Sequence, residues 1–345
     1  MPTARAVPLH LVTGFLGSGK TTLINRVLRE PGFAGTMVVV NEFGEVGLDH
    51  LIVSSAQDNV LLLESGCLCC AASGTLRDTL IDLFSRRATG AVPAFDRLIV
   101  ETSGLANPGP IVASLLGDSA LRPRCELVQV LTLVDAMNGA VTLDKYPEAA
   151  RQVAFADRIL LTKVREAPRE QVPALEAQVR ALNSHARMDV AQGDVPATSY
   201  FEATPLGHRP PATPNAWLRG PLKAQYGGDE AVHGDAFGQI ATHTFAVPHA
   251  VDWQAYAAWC DGMRRKFGRR LLRCKGLLKL GDTHVPWIVQ GVQGFFAPPV
   301  KYTGMPAEGF IVCIGEDLDR GDLDDIFTAL QAGRPPGALE NPPPA

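Results

Sequence analysis

The sequence predicts an α/β protein, with a mainly parallel, helix-covered sheet over residues 1–204 and a smaller α+β domain over 237–331. Three observations predict it. Short runs of Val, Leu and Ile alternate with helical patterns through the first part of the chain, and parallel strands buried on both faces read as such continuous apolar runs. A glycine-rich loop from Gly14 to Thr21 lies between the first apolar run and the first helical pattern. Beyond residue 238 the order changes to strands in series with few helices, which marks an α+β arrangement.

Taken in order, the strands are expected at 9–13, 37–40, 60–63, 98–101, 128–134 and 159–162. Helical patterns fill 21–29, 75–87, 111–116 and 171–183. From 204 to 238 Pro205, Pro210, Pro211, Pro214 and Pro221 alternate with Gly207, Gly220, Gly227, Gly228 and Gly234. Such a composition reads as a linker, placed at 205–236. In the second domain a strand at 240–247 precedes a helix from about Asp252, strands near 271–280, 285–293 and 310–314, and a helix over 322–330. Trp253, Tyr256, Ala257, Cys260 and Met263 recur at helical spacing and predict one buried face. The tail over 332–345, with five prolines, is expected to be disordered.

Composition narrows the function. The chain has 345 residues, 46% hydrophobic and 20% charged, and a net charge of -4, so nothing global directs it to nucleic acid or an anionic membrane. No run of ~18 apolar residues is present to span a bilayer. The apolar stretch near the start contains His10 and runs into the glycine loop without a small-residue cleavage site, so a cytoplasmic protein is expected. Of the seven cysteines, Cys67, Cys69 and Cys70 sit too close together for an ordinary disulfide framework. In a reducing compartment that cluster points to metal or redox chemistry.

The chemistry begins at Gly14-Phe15-Leu16-Gly17-Ser18-Gly19-Lys20-Thr21-Thr22, which fits G-x-x-x-x-G-K-[ST] after a strand and at the opening of a helix. Gly14, Gly17, Ser18 and Gly19 would turn backbone N–H groups toward phosphates. Lys20 would neutralise the β and γ oxygens, and the Thr21 hydroxyl would hold Mg²⁺. A second signal is the apolar strand ending in Glu101, followed by Thr102, Ser103 and Gly104. A carboxylate leaving the sheet there can organise Mg²⁺ or its waters, and Gly104 can approach the γ-phosphate. The base-reading run is Thr162-Lys163-Val164-Arg165, then Glu166. In an N/T-K-x-D run the Asp accepts from guanine N1–H and its exocyclic amine. Arg165 cannot accept, so either Glu166 substitutes or guanine preference is relaxed. GTP leads and ATP stays open.

Cys67, Cys69 and Cys70 follow the strand at 60–63 and precede a helix expected to begin near Gly74, so three thiols are expected on one loop at a strand's carboxyl end, where ligands gather in open parallel sheets. Soft thiolates select Zn²⁺, Co²⁺ or Cu⁺ over Mg²⁺, and an open fourth position suits transfer. Buried free thiols or a redox pair are the other readings. The segment 41–49 and the loop 66–70 are both expected to leave strands next to the phosphate loop, which would let the nucleotide state open or close the thiol site.

The loop GFLGSGKTT (14–22), NEFGEVGLD (41–49), GCLCC (66–70) and ETSGLANP (101–108), with RCKG (273–276) and QGVQ (290–293) downstream, together resemble the CobW family of GTPases, relatives of the hydrogenase and urease nickel-insertion GTPases (CobW/HypB/UreG type). The resemblance covers about residues 7–331. It implies a P-loop GTPase domain joined to a CobW-type C-terminal domain, with GTP hydrolysis coupled to delivery of zinc or cobalt to a client metalloprotein or cofactor-synthesis enzyme. Under it Cys67, Cys69 and Cys70 are the metal thiols, Glu42 is an oxygen ligand near the nucleotide, and Asp49 belongs to the first switch. The sequence departs from the family pattern at Arg165 and in lacking a histidine-rich stretch.

Two other functions fit the same residues. A P-loop kinase or other phosphotransferase with structural cysteines would transfer phosphate to an acceptor, and a nucleotide-gated zinc sensor or buffer would bind metal with negligible turnover. Lys20 and Glu101 are the catalytic candidates, and no arginine finger or water-positioning glutamine is evident, so slow intrinsic hydrolysis is expected. The cofactors expected are GTP, Mg²⁺ and Zn²⁺ or Co²⁺; a homodimer is left open. His50, His243, His249 and His284 read as surface or structural residues, and Cys125, Cys260, Cys274 and Cys313 as small core residues. Seven basic residues between Arg264 and Lys275 could dock an acidic client, but cations near a helix C-terminus are also favoured by its dipole. Without aromatic interleaving they do not suggest nucleic acid.

Overall fold

The computed structural model describes residues 6–41, 60–63, 68–193, 195–202, 239–281, 285–303 and 308–331, with backbone alone at 41, 60–63 and 68–75. The expected linker at 205–236 and tail at 332–345 lie outside the described residues, as do Glu42, Asp49, His50, Cys67 and His284. The chain divides into two compact units, Met1–Ala203 and Thr204–Ala345.

In the first unit β1 (Val7–Gly14), β2 (Thr36–Asn41), β3 (Val60–Leu63), β4 (Arg97–Glu101), β5 (Cys125–Asp135), β6 (Arg158–Thr162) and β7 (Arg187–Val190) form one sheet. Their order is β3-β2-β4-β1-β5-β6-β7, and every pairing is parallel. The helices are α1 (Lys20–Val27), α2 (Leu68–Thr89), α3 (Pro108–Gly117), α4 (Gly139–Lys145), α5 (Pro147–Phe155) and α6 (Gln171–Leu182). Val12, Ile99 and Leu131 from the three central strands are fully buried with Ile24 and Val27 of α1. Each such side chain removed from water contributes about 1.5–3 kcal/mol before ordering costs. Two polar side chains inside this core are tied in by hydrogen bonds: the Asn183 amide donates to the carbonyls of Val153 (2.9 Å) and Ala156 (3.0 Å) at the end of α5, satisfying acceptors that a helix leaves open. The Arg158 guanidinium meets Asp189 (2.6 Å) and the Ser199 carbonyl (2.5 Å).

Four expectations need correction. The sheet has a seventh strand, β7, a half-exposed edge with no apolar run to announce it. Two helices, α4 and α5, were not foreseen, because Ala149, Ala150 and Ala154 bury small side chains that leave no bulky periodic stripe. Helix α2 begins at Leu68 and not near Gly74, since Leu68 and Ala71–Ala72 favour helix enough to carry it through one glycine. Cys69 and Cys70 therefore lie on its first turn and not on a loop. Finally, β4 stands between β1 and β2, so the strands leading to 41–49 and to the thiols are not neighbours of the phosphate-loop strand.

The second unit comprises β8 (Ile240–Ala246), α7 (Trp253–Lys266), β9 (Leu271–Lys279), β10 (Pro286–Val292), β11 (Phe295–Phe296), β12 (Val300–Lys301), β13 (Phe310–Glu316) and α8 (Arg320–Gln331). The antiparallel sheet runs β11-β10-β9-β13-β8, with β12 pairing β10. The Asp252 carboxylate caps α7 by accepting from Ala255 N–H at 2.7 Å. Its buried stripe is Ala255, Tyr256, Trp259, Gly262 and Met263, not the set expected: Ala257 and Trp253 are exposed, and Trp253 packs edge-on against Trp287 at 5.2 Å. Trp259 is fully buried and meets Phe296 and Phe327 edge-to-face at 5.2 and 5.5 Å. Cys274 and Cys313 oppose each other across β9 and β13 with sulfurs 3.9 Å apart. Burial pushes the Cys274 thiol well up and those of Cys125 and half-buried Cys260 to about 12, so these are inert core thiols.

Candidate functional site

Most of the described predicted site residues converge on the loop between β1 and α1. Gly14, Gly17 and Gly19 have φ of 143°, 73° and 93°, a region that L side chains avoid. A Cβ on Gly14 would lie 2.5 Å from the Leu133 carbonyl and 2.7 Å from Ser18 Oγ, so the loop closes only around glycine there. The Lys20 ammonium is buried and donates to the carbonyls of Gly14 (2.8 Å) and Phe15 (3.2 Å), bridging the space the loop encloses. Helix α1 has Gly19 at its N-cap and no side-chain cap. The helix ladder itself offers no acceptor to the first N–H groups, and the positive helix end stands behind them, which favours an anion there. The Ser18 hydroxyl is buried without a partner among the described residues, as a group reserved for a ligand would be. Thr22 lies on the exposed side of the first turn.

Glu101 ends β4 next to β1, with Val12 as its register partner. It is buried, and its Oε1 accepts from Thr21 Oγ1 at 3.3 Å. A hydroxyl and a carboxylate meeting at the first turn of α1 form an oxygen-rich corner suited to a hard divalent cation. Chain 102–106 is pinned from several sides: the Thr102 hydroxyl donates to Thr13 Oγ1 at 2.8 Å, and the buried Gln152 amide donates to the carbonyls of Gly104 (3.1 Å) and Ala106 (3.0 Å). Gly104 lies so close to the loop that a Cβ would meet Leu16 N at 2.8 Å and Leu16 Cα at 2.9 Å. In the described conformation it abuts the phosphate loop itself.

The T-K-x-x run expected to read the base meets the loop as well. Thr162 Oγ1 donates to the Ser18 carbonyl at 2.8 Å, and Lys163 Nζ donates to the Gly17 carbonyl and to Asp135 Oδ2, each at 2.8 Å. Lys163 takes a left-handed φ of 55°. Burial alone would raise the Asp135 carboxyl, but Lys163, the Met137 N–H and Asn138 outweigh it and hold it below the usual carboxylate range. Asp135 and Gln152 were missed from sequence. Asp135 carries the same signal as Glu101, a carboxylate at the end of an apolar strand; Gln152 on α5 carries none.

Of the metal set, Thr21 is placed as above, and Cys69 and Cys70 have their backbone in the first turn of α2. Glu42, Cys67 and the thiol side chains lie outside what is described. Among the described residues no group of three or more His, Cys, Asp or Glu is placed to hold a metal. No described helix is long and apolar enough to cross a membrane.

Known proteins were compared with this chain. Residues 8–189 match the family described as CobW/HypB/UreG, nucleotide-binding domain, and residues 240–331 the cobalamin synthesis protein cobW C-terminal domain. The Escherichia coli zinc chaperone YjiA is 30% identical over 328 residues, covering 94% of this chain and 99% of that protein. The Saccharomyces cerevisiae zinc-regulated GTPase metalloprotein activator 1 is 26% identical, covering 94% and 83%. The crystal structure of Zn(II)-bound YjiA GTPase covers 94% of this chain and 99% of its own, with a TM-score of 0.64 at 23% identity, a likeness of fold.

Proposed function

This chain belongs to the CobW/HypB/UreG family, and on that premise we propose that it is a GTP-hydrolysing metallochaperone carrying zinc or cobalt on Cys67, Cys69 and Cys70 to a client metalloprotein or cofactor-synthesis enzyme. As a GTPase it resembles relatives named for that activity. The observation that carries the reading is the convergence on one glycine loop of a buried lysine, the Thr21–Glu101 pair and the Thr162–Lys163 anchor.

The residues present fit a nucleotide with Mg²⁺: an uncapped helix start, a loop turned through positive φ at Gly14, Gly17 and Gly19, and a buried, unpartnered Ser18 hydroxyl. Lys20 would exchange its loop carbonyls for the β and γ oxygens. The Thr21 hydroxyl would hold Mg²⁺, which when bound neutralises charge on those oxygens. Glu101 orients that hydroxyl and keeps negative charge beside it. Lys163 and Thr162 fix the outer wall of the loop, so its N–H groups are positioned before the nucleotide arrives. Gly104, packed against Leu16 of the loop, would carry a change at the γ-phosphate into the chain that follows Glu101, giving the nucleotide state a route into the fold.

The test is a Zn²⁺ competition titration against a chromophoric chelator, on the wild type and a Cys67/Cys69/Cys70→Ser variant, without nucleotide, with GDP and with a non-hydrolysable GTP analogue. The reading expects tight binding that needs the thiols and differs between nucleotide states. Binding indifferent to thiols and nucleotide would overturn it.

A further inference from the structure

We propose that this site does not select guanine, and that ATP enters it as readily as GTP, because Arg165 stands where the base edge is read. The inference rests on the reading above that the loop binds a nucleoside triphosphate, and it specifies which ones.

The framework that presents a base-reading residue is complete. Thr162 and Lys163 are tied to the Ser18 and Gly17 carbonyls. The turn beyond them is closed by Glu166 N–H and Ala167 N–H, which both donate to the Lys163 carbonyl at 3.1 and 3.2 Å. Residue 165 is thus held in the fourth position of a well-anchored T-K-x-x run. A carboxylate there would accept from guanine N1–H and the exocyclic amine, whereas a guanidinium has donors only. Against guanine it sets donor against donor. Adenine presents N1 as an acceptor on the same edge, which a guanidinium N–H satisfies.

Two carboxylates could take over the reading, and neither is placed for it. Asp135 is already engaged by Lys163, the Met137 N–H and Asn138. Glu166 is the next residue along a tight turn, and in such a helical turn consecutive side chains diverge by about 100° and do not share a face. Arg165 and Glu166 are both exposed, so the reading position can be changed without touching the core.

The experiment is displacement of a fluorescent nucleoside diphosphate, run with both the adenine and the guanine probe, from the full chain by GTP, ATP and ITP. The wild type and Arg165→Asp are compared. In the wild type the GTP and ATP affinities are expected to lie within about tenfold of each other, and ITP, which lacks the exocyclic amine, to match GTP, because no acceptor has been built to reward that amine. Arg165→Asp is expected to move the ratio at least about tenfold toward GTP and to weaken ITP relative to GTP. A merely structural residue would move neither ratio. A wild-type preference for GTP over ATP of about a hundredfold or more overturns the inference and leaves the nucleotide reading standing; its loss in Glu166→Gln would identify the reader. Failure of every triphosphate to displace either probe overturns both.

Discussion

His10 makes the first unit sensitive to acid in a way that one substitution should remove. It lies in β1, four residues before the phosphate loop, and is 3% exposed. Its ring stands edge-on to Phe201 at 5.3 Å, and its Nδ1 has no partner among the described residues. Burial, with the nearby Arg97 charge adding to it, lowers its pKa from 6.5 to about 4. The folded chain therefore holds a neutral ring that the unfolded chain protonates more readily. Its contribution is fully present above pH 6.5 and is lost as pH falls toward 4. With those two values the wild type loses about 2 kcal/mol from this residue between pH 8 and pH 5, and about 3 kcal/mol in all. His10→Leu has no proton to bind. Urea unfolding followed by far-UV circular dichroism at pH 8, 7, 6 and 5 should show the difference in stability between variant and wild type shifting toward the variant by about 2 kcal/mol over that range. The shift alone matters, since other titrating groups are common to both chains and cancel. Parallel pH profiles would refute the argument, because they would mean the buried ring is protonated as easily in the fold as out of it.

Other perturbations reach the site and the second core. Gly104→Ala forces a Cβ against the Leu16 backbone at under 3 Å; nucleotide affinity should fall about tenfold or more, as overpacking costs of order 1–3 kcal/mol, and isothermal titration with a GTP analogue would read it. Glu101→Gln keeps the shape but removes the charge beside Thr21, so kcat for GTP should drop about a hundredfold with Mg²⁺ dependence shifted to higher concentration; steady-state phosphate release is the check, and unchanged turnover would place catalysis elsewhere. Trp259→Ala empties the middle of an aromatic cluster and should destabilise the second unit by about 3–5 kcal/mol, seen as an earlier near-UV melting transition while nucleotide binding persists.

The loop and its supports were legible because their chemistry constrains residue type. Glycine is strongly favoured at the positive φ of Gly14, Gly17 and Gly19, and a strand end puts Glu101 beside Thr21, so both leave marks in the sequence. Fold class was legible for a similar reason: β1, β4, β5 and β6 are largely buried and rich in Val, Leu and Ile, without the strict alternation of a half-exposed strand. What escaped was set by tertiary context. Gln152 matters through an amide that reaches two carbonyls of a chain segment 46 and 48 residues away, and nothing local distinguishes it from a surface glutamine. The start of α2 was misplaced because Gly74 looked like a helix boundary, where it proved to be a tolerated interior glycine. Trp253 was assigned to the wrong face because helical periodicity alone does not say where the stripe ends at the helix's first residue.

Strand order has a consequence for how nucleotide and metal could communicate. Between β1, which feeds the phosphate loop, and β3, which leads toward the thiols, lie β4 and β2. Three strand spacings amount to about 14 Å. That exceeds the ~8 Å over which exposed charges feel one another at physiological ionic strength. Two exposed charges at the ends of β1 and β3 would therefore be largely screened from each other by salt. If the proposed coupling operates across that span, it would be carried mechanically by covalent chain and packed contacts, and so should be insensitive to salt and governed by the rate at which segments rearrange.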